Sequence, residues 1–343
     1  MLSGSTTLLI ATTPRDTEAM SEHDLVIRGG TVVDGTGAAP RVADVAITDG
    51  VVTAVAAGIE GRGTREIDAD GLTITPGFVD IHTHYDGQAT WDPVLAPSSI
   101  HGVTSLVMGN CGVGFAPTKP TPEHHDWLIG MLEGVEDIPG TALAEGLTWD
   151  WESFTDYLDA LDRRTFAVDV ATQVAHAPLR AYVMGARGAD PDEVPTADEL
   201  LRMAALVRAG MDGGALGFTT SRTYIHRTKD GAPLGTRRAK VDELTTLATA
   251  MADSGHGVIQ MISDAYQSDD ADYVAAEMAM MQSLVEATGR PLSMTVQQPE
   301  PLPDRWREMS DWVARCVARG LPLKTQMAPR PIGLLQGLSL IHI

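Results

Sequence analysis

Short apolar runs alternate with amphipathic stretches of helical length from Leu72 almost to the end of the chain, and this alternation limits the fold more than any other feature. Candidate strands lie at 74–84, 105–108, 168–174, 215–219, 257–262, 292–296 and 323–326. Helical patterns lie between them at 151–163, 197–209, 241–253, 271–288 and 304–319. Thr196, Asp270 and Asp304 stand at helix starts, and Gly255, Gly289 and Gly320 just past helix ends, where such residues satisfy terminal backbone groups. Strands alternating with helices imply parallel pairing, because parallel neighbours need a long crossover connection. The fold class is therefore α/β, either an open doubly wound sheet or a (β/α)8 barrel. No Gly-x-Gly-x-x-Gly opens a helix after the first of these strands, which removes support for a dinucleotide fold. Seven strands are found, so a barrel lacking its eighth unit fits better.

Residues 24–72 have a different texture. Leu25–Ile27 and 31–33 flank a Gly29-Gly30 turn, and 44–48 and 51–55 flank Asp49-Gly50, a strong hairpin signal. Strands this short form a small all-β unit that needs a partner to be stable. Residues 1–23 read as an unstructured extension: the apolar patch Leu8-Leu9-Ile10 has no basic residue ahead of it, which makes a poor signal peptide, and Met20 is an alternative start. The tail 337–343 fits no period and reads as aberrant or truncated. The main α/β body is then 73–336.

Composition removes several function classes. Lys+Arg 25 against Asp+Glu 46, a formal net charge of -21, argues against nucleic acid, whose backbone selects a basic face. No apolar run approaches the roughly 18 residues of a membrane span. Two cysteines build no disulfide framework, so the expected compartment is the cytoplasm.

Chemistry concentrates in two motifs. In Pro76-Gly77-Phe78-Val79-Asp80-Ile81-His82-Thr83-His84, strand alternation would put Asp80, His82 and His84 on one face. Two imidazoles about 7 Å apart at a strand end can converge on one metal ion, although His-x-His is also common at half-exposed strand ends. In the second motif, strand 105–108 runs into Gly109-Asn110-Cys111-Gly112, a thiol among glycines at a strand's C-terminal rim, where it could coordinate the same ion. Cys316, inside a helix, reads as structural.

Together these motifs, with residues 25–37 ahead of them, resemble the amidohydrolase superfamily, in particular its N-acyl-D-amino-acid deacylase (D-aminoacylase) branch. His-Thr-His after Pro-Gly-Phe-Val-Asp is widespread in the superfamily, whereas Asn110-Cys111-Gly112 with Ala116-Pro117 is more specific. Most relatives carry a carboxylated lysine on the fourth strand, and here 215–221 contains no lysine. The resemblance implies a (β/α)8 barrel, incomplete because strand 8 is missing, plus the N-terminal half of a β-sandwich at 24–72. It also implies one or two zinc ions, with His82, His84 and Cys111 as ligands, and a small-molecule N-acyl amino acid as substrate. The activity implied is hydrolysis of a non-peptide C–N bond.

Departures from the family pattern are specific. Where strand-5 and strand-6 ligand histidines are expected, the chain has Gln260 and Gln297, and glutamine is not a normal zinc ligand. The family's catalytic aspartate would lie beyond Ile343, leaving Asp264 as a local substitute. Arg222 is a candidate for gripping a substrate carboxylate, with His176 and His226 as further substrate contacts; a solvent-facing arginine and an ordinary hydrogen-bonded histidine are the competing readings. His124-His125 read as surface. Two other functions stay open: an amidohydrolase acting on a cyclic amide, rebuilt around Gln260 and Gln297, and a non-catalytic binding protein of the same fold. A chain without its last strand is also expected to be poorly soluble and inactive beside a longer form.

Overall fold

The structure, a computed structural model, describes residues 22–328. The expected extension over 1–21 and the expected tail 337–343 lie outside the described residues. The chain divides into two units, Met1–Gly77 and Phe78–Ile343.

In the first unit, β1 (His23–Val32), β2 (Arg41–Thr48), β3 (Val51–Ala56), β4 (Gly63–Asp68) and β5 (Thr73–Ile74) form one five-stranded sheet. β1 pairs antiparallel with β2 but parallel with β4 and β5. Asp49-Gly50 joins β2 to β3 as a hairpin, as its sequence implies. The turn expected at Gly29-Gly30 is instead a register shift between Ile27 and Gly30 inside one continuous strand. A bulge absorbs one residue without ending the pairing, so glycines there bend the strand rather than stop it. The strand also starts at His23, one residue inside the expected extension. Thr73 and Ile74 pair with β1, which carries the unit to Gly77 rather than to 72. Val32, Ala43 and Val45 form its small core with Ile27, Ile47 and Ile74.

The second unit alternates strands and helices. Its strands are β6 (Phe78–Asp80), β7 (Val103–Met108), β8 (Asp169–Thr172), β9 (Val174–Ala175), β10 (Gly217–Arg222), β11 (Val258–Ser263), β12 (Leu292–Thr295) and β13 (Leu323–Gln326). All pairings among them are parallel, in the orders β6-β7-β8 and β13-β12-β11-β10-β9. The expected strand 168–174 is therefore two pieces separated at Gln173, one pairing backwards to β7 and the other forwards to β10. Leu106, Met108, Phe218, Ile259, Met261, Leu292, Met294 and Leu323 are buried along these strands, as parallel strands covered on both faces require. The result is a mixed α/β fold built on parallel sheets.

The helices are α1 (Pro122–Glu136), α2 (Gly140–Gly146), α3 (Phe154–Asp162), α4 (His176–Met184), α5 (Ala197–Asp212), α6 (Val241–Ala252), α7 (Ala271–Thr288) and α8 (Arg305–Ala318). α5 begins in a capping box, with Thr196 and Glu199 each bonding the other's backbone N–H, and Asp270 accepts from the first amides of α7. α1 is not among the helices expected from the sequence, where His124-His125 read as surface. Thr121 is in fact its N-cap and Pro122 its first residue, the one helical position where a missing N–H costs nothing.

Candidate metal centre

The expected strand 74–84 does not persist to the histidines. It is interrupted after Ile74, β6 ends at Asp80, and His82 and His84 stand in the irregular segment beyond it. What orders them is the residue between: Thr83 donates its backbone N–H and its hydroxyl to the Val107 carbonyl, at 3.1 and 2.8 Å. Asn110 Nδ2 donates to both Val107 O and Thr83 O, so the two motifs are tied together at the end of β7.

Cys111 sits in a tight turn at Asn110–Gly112, with φ 56 at Cys111 itself. Gly109 and Gly112 flank it at φ 72 and 69, and a Cβ would come within 2.4 Å of Gln173 O at Gly109 and 2.8 Å of Thr220 Cα at Gly112. Only glycine fits such an approach in left-handed backbone, and this close fit is what buries the thiol. Gln260 Oε1 accepts the Cys111 amide at 2.7 Å, and Thr219 Oγ1 accepts that of Gly112 at 3.0 Å.

His82, His84 and Cys111 bring their donor atoms within 4.8 Å of one another. His82 Nε2 is 3.1 Å from Cys111 Sγ, close to the roughly 3.5 Å that separates nitrogen and sulfur ligands on one tetrahedral zinc. The other nitrogen of His82, Nδ1, is 2.9 Å from Gln326 Oε1 at the end of β13. His84 Nε2 is 3.3 Å from Glu136 Oε1, while its Nδ1 is buried without a partner. Asp86 Oδ2 and Gln260 Nε2 are also buried and unpartnered.

Burial dominates the electrostatics. It holds His82 below, and His84 well below, the usual imidazole range, and neighbouring imidazoles push His84 further: His82 first, then His226. Burial also lifts the Cys111 thiol well above its usual value, helped by Glu136 and Asp86. Asp86 is pushed up to about 7 and Glu136 to about 8, again chiefly by burial. A buried group of neutral imidazoles, a thiol and two carboxyls, several with bare polar atoms, is a donor set that a divalent cation satisfies. The residues fit zinc, whose preferred ligands are cysteine sulfur and histidine nitrogen.

The profile of the amidohydrolase family matches residues 65–340. The chain belongs to that family. This amidohydrolase is 30% identical over 255 residues to a D-aminoacylase of Alcaligenes xylosoxydans xylosoxydans, covering 74% of this chain and 46% of that protein. It is 37% identical over 211 residues to an uncharacterized protein of Mycobacterium tuberculosis, covering 60% of this chain and 33% of that one. The structure superimposes on an N-acyl-D-glutamate deacylase from Bordetella bronchiseptica, solved with zinc and a phosphonate inhibitor, with a TM-score of 0.72 and 27% identity over 90% of this chain and 59% of that one. The chain thus spans between a third and about half the length of these curated relatives.

Of the other expected site residues of the amidohydrolase, Gln260 and His226 lie beside the His82–His84–Cys111 group, while Arg222, His176 and Asp264 are held by other partners. Arg222 is engaged within its own chain: Nε and Nη2 grip Glu277 at 2.6–3.0 Å, and Nη1 donates to Ala239 O at 2.7 Å. A carboxylate from its own chain thus takes the face of the fork formed by Nε and Nη2, with Ser263 Oγ donating to the same Glu277. His176 is fully buried with both nitrogens bonded, to Thr220 Oγ1 and Glu243 Oε1, so it is a core histidine rather than a substrate contact. His226 bonds Ser221 Oγ through Nδ1 and is held down to about 4, first by burial and then by His82. Asp264 accepts from Thr223 Oγ1, the Tyr224 amide and Gln267 Nε2, which ties it to the loop after β10. Gln260 supports the Cys111 backbone, and Gln297 follows β12 half-buried. His124 and His125 are not plain surface residues, because His125 stacks on Trp149 with centroids 3.8 Å apart and His124 packs against Trp127 and Tyr182. Sequence reasoning missed Glu136 and Gln326. For Glu136 a signal exists only once α1 is recognised: it ends that helix, where a carboxylate opposes the macrodipole. Among the described residues no helix is long and apolar enough to cross a membrane.

Proposed function

We propose that this amidohydrolase is a zinc-dependent deacylase of N-acyl-D-amino acids, with His82, His84 and Cys111 as its metal ligands. The observation that carries the reading is the convergence of those three donor atoms within 4.8 Å, the thiol buried and the two imidazoles partly so. A zinc ion held there would polarise the scissile carbonyl and lower the pKa of a bound water. The chain's own part is to keep both imidazoles neutral, with lone pairs available, and to fix the thiol in a turn too crowded to relax. Gln326 orients the His82 ring, and Gln260 anchors the backbone that carries Cys111. The similarity to D-aminoacylase and to the N-acyl-D-glutamate deacylase supports the substrate class.

The finer architecture belongs to the same proposal. The parallel strands β6 to β13, taken with β8 and β9 as one interrupted strand, are read as seven strands of a (β/α)8 barrel that begins at Phe78. The sheet β1–β5 is read as half of a β-sandwich. Two free cysteines and an acidic surface suit a cytoplasmic enzyme of small molecules rather than a nucleic-acid partner.

Metal analysis of the purified chain, with release of free amino acid from N-acetyl-D- and N-acetyl-L-amino acids, tests the reading. The expected result is at least one zinc per chain, with any turnover confined to the D-series. A chain that takes up no zinc after loading and dialysis sinks the metal assignment, and L-selective turnover sinks the substrate class.

A further inference from the structure

Glu136 is the last residue of α1, and the carboxylate it carries is 3.3 Å from His84 Nε2. Two facts make that placement unusual. First, α1 has no basic residue in its last turn and is followed by Asp137 in left-handed backbone, so the negative end of the helix dipole meets two acidic side chains. Such a position disfavours a carboxylate unless another contact compensates. Second, the remaining nitrogen of the same histidine, Nδ1, is buried and has no partner.

A neutral imidazole has one N–H and one lone pair. A carboxylate on Nε2 selects the tautomer with the proton there and leaves the lone pair on Nδ1. Metal-binding histidines commonly use this arrangement, in which a carboxylate behind the ring fixes its orientation and raises its basicity. Building on the proposed zinc site, we propose that Glu136 is a positioning residue for the metal centre: it accepts Nε2–H of His84 and so presents Nδ1 of that ring as the ligand atom. His82 is held differently. Its Nδ1 meets the neutral amide oxygen of Gln326, which leaves Nε2 facing Cys111. The two histidines of one motif would therefore bind through opposite nitrogens, which explains how rings only two residues apart, on chain that is not a strand, reach one point.

The test uses the full chain and cobalt(II) or zinc(II) alone. Metal affinity is measured by chelator competition for wild type, Glu136→Gln, Glu136→Asp, His84→Gln and the Glu136→Gln/His84→Gln double variant, and each cobalt form is also followed by its visible absorption. Glu136→Gln is expected to weaken binding about 10–100-fold and to alter the cobalt spectrum. Its metal-free unfolding midpoint should not fall, since glutamine matches the shape of a carboxyl whose anion the helix end already disfavours; a merely structural role predicts the reverse. Glu136→Asp, which keeps the carboxylate, should recover part of the affinity. In the double variant the two losses should not add, because both changes act through one ligand. Wild-type affinity in Glu136→Gln, or fully additive losses, overturns the positioning role while leaving the zinc site standing. A wild-type chain that binds neither metal overturns the zinc site and this inference together.

Discussion

Cys111 and Cys316 are both buried and both free, yet they sit in opposite settings. Cys111 occupies a left-handed turn whose neighbours must be glycine, and its sulfur is 3.1 Å from an imidazole nitrogen. Cys316 lies on the inward face of α8 with its sulfur 3.9 Å from Gln282 Oε1, a contact with no second metal-binding group. Cys111→Ala should therefore lower the zinc retained after dialysis to well under one ion per chain. Cys316→Ala should leave zinc content unchanged and cost about 1–2 kcal/mol through lost packing. Metal analysis and urea unfolding of the two variants separate these outcomes.

At the level of elements, the Arg222–Glu277 pair joins the end of β10 to the middle of α7, with Ser263 from β11 and the Ala239 carbonyl from the approach to α6 completing it. Four segments thus meet at one ion pair whose side chains are 12% and 5% exposed. Removing one partner leaves a buried charge alone, so Glu277→Ala should lower unfolding free energy by about 3–5 kcal/mol. Arg222→Lys keeps the charge but cannot span both carboxylate oxygens and the carbonyl together, and should lose a smaller amount. Urea denaturation checks both. If Arg222→Lys instead leaves stability intact and selectively weakens acidic substrates, the guanidinium serves substrate after all.

For the molecule as a whole, pH acts through groups that folding has taken out of water. His226 is held down to about 4, mainly by burial. With its folded value below the unfolded one near 6.5, the folded state binds fewer protons in between. The stability His226 contributes is then present above about pH 6.5 and lost as pH falls toward 4. His124, also held down to about 4 by burial, acts in the same direction. Asp86 and Glu136 have the opposite sign, since their folded values are raised and their contribution fades as pH climbs through about 7 and 8. Comparing wild type with His226→Gln isolates one group from this sum. Between pH 6.5 and 4 the metal-free wild type should lose up to about 3 kcal/mol more than the variant. Parallel stability curves for the two proteins would remove His226 from the account.

The strand–helix alternation, the Asp270 cap and Gly289 stop of α7, and the bounds of β13 were all legible, because each depends on residues within a few positions of one another. The two candidate metal motifs were legible for the same reason, being dense local clusters of chemistry. Local pattern also misled: the apolar alternation of 74–84 promised a strand to His84, but a strand lasts only while a neighbour pairs with it in register, and of this segment only residues 78–80 form a ladder with β7. Proline punctuation hid α1, and with it Glu136. The surroundings of the site could not be read at all from local sequence. Gln326 lies 244 residues from His82, and Gln260 lies 149 from Cys111. They meet although β6 and β7 belong to one sheet and β11 and β13 to another, and that approach is a property of tertiary packing. The same cause reassigned Arg222: its sequence shows a free fork, and only the packing of α7 against β10 and β11 supplies the carboxylate that fills it.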